Sequence, residues 1–126
     1  MATILLIEDD ELSRFTVRKV LHAAGHKVVD ATSGKEGLNL LKLQPFDLIV
    51  TDIVMPEQHG LAVIIDIRKK SPGQKILAIT GGGVNGYGKS IYGNAADEFG
   101  ADAVLFKPFT GDELLSHVSD CLESNA

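Results

Sequence analysis

The chain has 126 residues, 44% of them hydrophobic and 23% charged, with a net charge of −5 and a single cysteine. That length fits one domain and leaves no room for a second, the composition excludes a disordered or fibrous chain, and one thiol excludes an internal disulfide. The acidic balance argues against nucleic-acid binding, no apolar run is long enough to span a bilayer, and Met1 leads to Ile4 without a basic leader, so the expectation is a cytoplasmic protein with no membrane insertion.

The first apolar run is Ile4-Leu5-Leu6-Ile7, and Glu8-Asp9-Asp10-Glu11 follows it. Apolar residues at consecutive positions predict a strand buried on both faces. Val17, Val20, Leu21 and Ala24 then recur at helical spacing, and Gly25 is placed to end that helix. Val28-Val29 is the second strand, and Ser33 with Glu36 has the capping-box spacing that opens a second helix. Leu48-Ile49-Val50 runs into Thr51-Asp52, and Ile53-Val54-Met55-Pro56 makes a turn that would hold the Asp52 carboxylate at the strand end. Leu61, Ile64 and Ile65 form a shorter helical stripe. Ile76 to Ile79 is the fourth strand; it ends in Thr80, and the glycine-rich stretch Gly81 to Gly88 comes next. Ala103 to Phe106 is the fifth strand, ending in Lys107-Pro108. Thr110 and Glu113 cap the last helix, whose apolar positions Leu114, Leu115, Val118, Cys121 and Leu122 make Cys121 a core-facing thiol. His22, His26, His59 and His117 share no ligand spacing and default to surface or rim positions.

Strands alternating with helices predict a (βα)5 chain: an α/β doubly wound five-stranded parallel sheet, with right-handed crossovers and helices on both faces. In such a sheet the strand C-termini share one edge, so Glu8, Asp9, Asp52, Thr80 and Lys107 would converge there although they lie far apart in sequence. Two carboxylates about 4 Å apart repel by about 4 kcal/mol at an effective dielectric of about 20, so three of them in one crevice call for a cation. Oxygen-only donors favour a hard ion such as Mg²⁺. Taken alone, Glu8 to Glu11 reads equally as an acidic helix N-terminus. Asp52 at the end of a buried strand, and Lys107 at the same edge, point instead to metal-assisted phosphoryl chemistry.

These pieces together resemble the receiver domain of two-component response regulators. The resemblance covers essentially the whole chain, 1–126 as one domain, through Ile4-Leu5-Leu6-Ile7-Glu8-Asp9, Asp47 to Asp52 with Met55-Pro56 and Gly60, Ala78-Ile79-Thr80-Gly81, and Gly100-Ala101-Asp102 with Lys107-Pro108-Phe109. It implies a flavodoxin-like strand order 2-1-3-4-5 and Asp52 as phosphoacceptor. It also implies Mg²⁺ held by Asp9, Asp52 and the Val54 carbonyl, with Glu8 reaching the metal through water. Thr80, Gly81 and Lys107 would hold the phosphoryl oxygens, and the Lys107-Pro108 bond is expected to be cis. The phosphoryl donor would be a histidine kinase or a histidine phosphotransfer protein, and the output a surface change read by a downstream protein. Such a stand-alone domain is not an enzyme in the ordinary sense, since it catalyses only its own phosphorylation and dephosphorylation.

Two features depart from that pattern. The switch position where receivers commonly carry Tyr or Phe, three residues before the lysine, is Val104 here, so switching through Thr80 cannot use a ring at that place. The segment between Thr80 and Gly100 is longer than usual and contains Gly83-Val84-Asn85-Gly86-Tyr87-Gly88-Lys89-Ser90, which matches G-x-x-x-x-G-K-[ST]; Gly81, Gly83 and Gly86 also match the dinucleotide pattern. A nucleotide-binding α/β domain is therefore one alternative. An aspartyl-nucleophile phosphatase is another, although the acid such enzymes need two residues after the nucleophile is replaced by Val54. With Val54 and Gly82 offering no hydrogen bond to an attacking water, a long-lived acyl phosphate is expected.

Overall fold

All five predicted runs become strands, and their order in space places the chemistry on one edge. The computed structural model describes residues 1–53, 60–80 and 100–123; Val54, Gly81, the Gly83–Ser90 motif and the helix expected between the fourth and fifth strands lie outside them. The elements are β1 (Thr3–Ile7), α1 (Glu11–Ala23), β2 (Lys27–Ala31), α2 (Gly34–Leu43), β3 (Leu48–Asp52), α3 (Gly60–Lys70), β4 (Ile76–Thr80), β5 (Ala103–Phe106) and α4 (Gly111–Glu123). The strands pair in parallel in the order β2-β1-β3-β4-β5. No helix among the described residues is long and apolar enough to cross a membrane.

Strand periodicity divides the core in two. Ile4 and Leu6 of β1, Leu48 and Val50 of β3, and Leu77 and Ile79 of β4 pack with Val17 and Leu21 of α1 and with Leu114, Val118 and Cys121 of α4. Leu5 and Ile7, Ile49, and Ile76 and Ala78 point the other way, against Val63, Ile64 and Ile67 of α3 and the partly buried Leu38 and Leu41 of α2. Each fully buried Leu or Ile contributes roughly 1.5–3 kcal/mol of apolar transfer. Cys121 faces the core as expected; burial first, and then the charges of Asp102 and Asp120, push its thiol up to about 11.

Helix ends follow local chemistry. The Asp10 carboxylate caps α1 by accepting the Ser13 N–H at 2.8 Å, and Gly25, at φ +94°, takes the left-handed turn that closes it. The Thr110/Glu113 capping box closes reciprocally, Glu113 N–H to Thr110 and Thr110 N–H to Glu113, whereas at α2 Glu36 N–H donates to the cap Ser33 and the Glu36 carboxylate accepts from the preceding Thr32 N–H. The Lys107-Pro108 peptide bond is cis.

Three expectations need correction. The Val28-Val29 and Ala103 to Phe106 runs are not buried on both faces, because β2 and β5 are the two outer strands and only Ala31 in the one and Leu105 in the other are buried. The inward face of α3 is Val63, Ile64 and Ile67, with Ile65 turned half outward. Ala24 caps α1 in an exposed position instead of extending its apolar stripe.

Two anchors hold the β4–β5 side. The Arg68 guanidinium donates to the carbonyls of Pro72 and Gln74 at 2.6 Å and of Gly100 at 2.5 Å. Asp102 accepts the Ile76 N–H on its carboxylate at 2.7 Å and returns its own N–H to the Ile76 carbonyl at 2.8 Å.

Where α2 crosses β1 there is no room for a side chain. A Cβ on Gly37 would stand 2.5 Å from Ile7 Cδ1, and Ile7 is itself fully buried. Gly37→Ala is therefore expected to destabilise the fold by about 1–3 kcal/mol despite alanine's helix preference of about 1 kcal/mol. Urea denaturation measures it, and a more stable variant would show that Ile7 can yield.

Candidate metal and phosphoryl site

The sheet pairing continues past the strand ends and sets the position of the polar residues. Glu8 N–H donates to the Ala31 carbonyl at 3.0 Å, Ile53 N–H to Ile79 at 3.0 Å and Lys107 N–H to Thr80 at 2.8 Å. Glu8 and Asp52 thus stand level at the ends of adjacent strands, Lys107 follows β5 two residues farther along the register, and the sheet's own hydrogen bonds fix all three.

Their side chains converge. Lys107 Nζ lies 2.9 Å from Asp52 Oδ2 and 3.0 Å from Glu8 Oε1. One oxygen each from Glu8, Asp9 and Asp52 lies within 4.8 Å of the others. Asp9 is exposed at the mouth, whereas Glu8 and Asp52 are buried. Thr80 ends β4 fully buried, beside Phe106 in the strand register. Val104 packs with the α2–α3 half of the core.

Burial raises the Glu8 carboxyl to about 7, and the charge of Asp52 adds to the effect; Lys107 only partly offsets them. For Lys107, burial acts to lower its pKa, but hydrogen bonds to Asp52 and Glu8 and the charges of both outweigh it, so the ammonium is held above its ordinary value. One feature fits a cation: Glu8 Oε2 is buried with no hydrogen-bond donor, beside an all-oxygen set of two further carboxylates. The residues present suit a hard divalent ion and offer nothing to a soft one.

Sequence reading brings Glu8, Asp9, Asp52, Thr80 and Lys107 to this edge, and the structure assembles all five there. It misses Arg14. The Arg14 guanidinium donates to the Glu8 carbonyl at 3.2 Å and pairs with Asp30 at 3.4 Å, so it braces the turn carrying Glu8 and Asp9 against β2. The available signal is Arg14's place three residues before Val17, at the border of the buried stripe. Arg14→Met keeps the aliphatic stem and removes both contacts. It is expected to cost about 1 kcal/mol in urea denaturation and to weaken divalent-cation binding; no change in either would show the brace to be idle.

Comparisons with known proteins agree with this geometry. The family model described as response regulator receiver domain matches residues 4–119. The transcriptional regulatory protein GlrR of Escherichia coli is 32% identical over 125 residues, 99% of this chain and 27% of its own length. The cell cycle transcriptional regulator CtrA of Caulobacter vibrioides is 30% identical over 116 residues, 91% of this chain and 48% of its own. The chain thus spans about a quarter to a half of these relatives. Among solved structures, a response regulator receiver domain protein of Clostridium thermocellum superposes with a TM-score of 0.86 at 27% identity, covering 97% of this chain and 94% of that one. The Vibrio cholerae chemotaxis protein CheY4 gives 0.85 at 28% identity, covering 96% and 98%.

Proposed function

The chain belongs to the response-regulator receiver family, and from that premise we propose that Asp52 accepts a phosphoryl group in a Mg²⁺-dependent reaction. The observation that carries this reading is the Lys107 ammonium, held between Asp52 and Glu8 beside a three-carboxylate cluster. Asp52 ends a strand buried at every position, which fixes its carboxylate.

Glu8, Asp9 and Asp52 would hold the cation, with the Val54 carbonyl added by family resemblance. When bound, it supplies charge neutralisation for the oxygens of the phosphoryl group. An Asp52 oxygen attacks phosphorus in line. The new oxygen–phosphorus bond forms as the phosphorus–nitrogen bond of a phosphohistidine donor breaks, and the departing imidazole keeps the electron pair and takes up a proton. Lys107 passes from Asp52 to a phosphoryl oxygen, so its charge stays paired throughout. The mark adds about −1.5 to −2 charge and strong acceptor oxygens at the sheet edge where β4 ends in Thr80, whose hydroxyl we assign as the switch group. The donor we assign is a histidine kinase or histidine phosphotransfer protein in the cytoplasm, and the recipient of the signal a protein that docks to the altered surface.

Incubation with acetyl phosphate and Mg²⁺ should add one phosphoryl group by intact mass, and EDTA should prevent it. A chain that gains no mass under these conditions would overturn the reading. Asp9→Asn removes the exposed carboxylate of the cluster and should weaken Mg²⁺ affinity about tenfold or more, with slower phosphorylation at a fixed metal concentration. Unchanged affinity by calorimetric titration would move the metal elsewhere.

A further inference from the structure

Away from this crevice, an apolar surface feature lies along α1. That helix turns Val17 and Leu21 inward but leaves Leu12 73% and Phe15 52% exposed. Lys19 places its ammonium 5.8 Å from the centre of the Phe15 ring. Between the helix and β2 runs a hollow of about 690 Å³ lined by Phe15, Arg18, Lys19, His22, Ala23 and Val28. A second hollow of about 440 Å³, sharing Phe15 and Arg18, carries the trough on to Asp30.

One wall of the trough is a sheet edge. Among the described residues, β2 has β1 as its neighbour on one side and no strand on the other. Lys27 donates its N–H to the Ala2 carbonyl, and the Ala31 carbonyl accepts from Glu8, so these residues turn their backbone groups toward β1. Strand backbone alternates with a period of two, which directs the N–H and C=O of Val28 and Asp30 away from β1 along the open edge. An edge of this kind is a template for another extended chain. Charge narrows the choice. The protein carries a net −5, yet Arg18, Lys19 and His22 rim the trough, and the Asp30 carboxylate is already paired with Arg14.

We propose that the α1–β2 trough docks an extended segment of a partner protein whose every second residue, the set facing α1, is acidic or apolar in turn, and that this segment adds as a further strand to the free edge of β2. Its backbone pairs with Val28 and Asp30, its carboxylates face Arg18 and Lys19, and its apolar side chains cover Phe15 and Val28. A docked helix would cover the same apolar atoms but would leave the edge groups of β2 to water, so the edge favours the extended form.

The test is a nitrogen-15 NMR titration of the full chain with an end-blocked octapeptide in which Asp and Val take turns at every second position with Thr between them, so that both face α1. The expected result is a saturable shift of the Val28 and Asp30 amides at submillimolar peptide. The Arg18→Glu/Lys19→Glu double variant should weaken it about tenfold or more, while labelling by acetyl phosphate stays unchanged. The same peptide N-methylated at alternate residues cannot pair along its edge and should lose binding, a control independent of any protein variant. Absence of shifts at millimolar peptide, equal binding by the N-methylated peptide, or shifts confined to α1 with Val28 and Asp30 unmoved would each overturn the proposal; the last would point to a helical partner.

Discussion

Replacing Asp52 with Asn is expected to abolish phosphoryl incorporation from acetyl phosphate, reducing it to background in intact-mass measurements with Mg²⁺ present. The substitution keeps the side chain's size and removes only the nucleophilic carboxylate, so loss of labelling with the melting temperature retained is assigned to the lost nucleophile. It also leaves Lys107 with one partner, Glu8, in place of two. Because the Asp52 charge is the second cause of the raised Glu8 carboxyl, Asn at this position removes a repulsion, and the metal-free variant should melt no lower than the parent. Undiminished labelling of the variant would place the acceptor on another residue. Reduced labelling together with a large fall in melting temperature would instead mean that Asp52 supports the fold.

The second large effect is a pH dependence of stability in the absence of metal. In the folded chain Glu8 titrates near 7, against 4.5 for an unburied carboxyl, because burial and then the Asp52 charge disfavour its ionised form. Between those values the folded state holds a proton that the unfolded state has released, so the Glu8 contribution is fully favourable below about 4.5 and is lost as pH rises through about 7. At about 1.36 kcal/mol per pH unit the loss is on the order of 3 kcal/mol, or roughly 10 °C in melting temperature. Lys107 is raised from an already basic value and loses its contribution only at alkaline pH, outside this window. In EDTA, melting temperature should fall from pH 5 to pH 7.5, and Glu8→Gln should flatten that slope. Saturating Mg²⁺ should restore stability at the upper end, since a cation favours the ionised carboxylate. Equal slopes in the parent and Glu8→Gln would show that the proton sits elsewhere.

Much of this molecule is legible before folding because its strongest signals are local. β1, β3 and β4 are apolar at consecutive positions and lie inside the sheet, and Ser33 and Thr110 cap their helices as the spacing predicts. Asp52 and Lys107 stand out because a charged residue ends an apolar run. What the residues do not state is which strand is outermost. Val28-Val29 reads like any other buried pair, yet β2 is left at the edge by pairings with residues far along the chain. The face of α3 is ambiguous for a related reason: Ile64, Ile65 and Ile67 are equally apolar, and only the surface of β3 and β4 selects among them. Arg14 acts through a carbonyl, which has no sequence signature at all. The unpaired Glu8 oxygen is a property of the assembled crevice.

The Arg68 clamp and the Ile76–Asp102 exchange bear on how this chain can vary. Both sets of bonds lie on described residues outside the 81–99 segment, so the start of β5 is pinned to the start of β4 without any contribution from the chain that joins Thr80 to Gly100. The ends of that connection are therefore set by bonds it does not itself make. A change of length between Thr80 and Gly100 leaves those bonds untouched, whereas one residue added between Gly100 and Ala103 would carry Gly100 or Asp102 out of register with Arg68 or Ile76. Length polymorphism among related chains should accordingly concentrate in the first stretch and be excluded from the second.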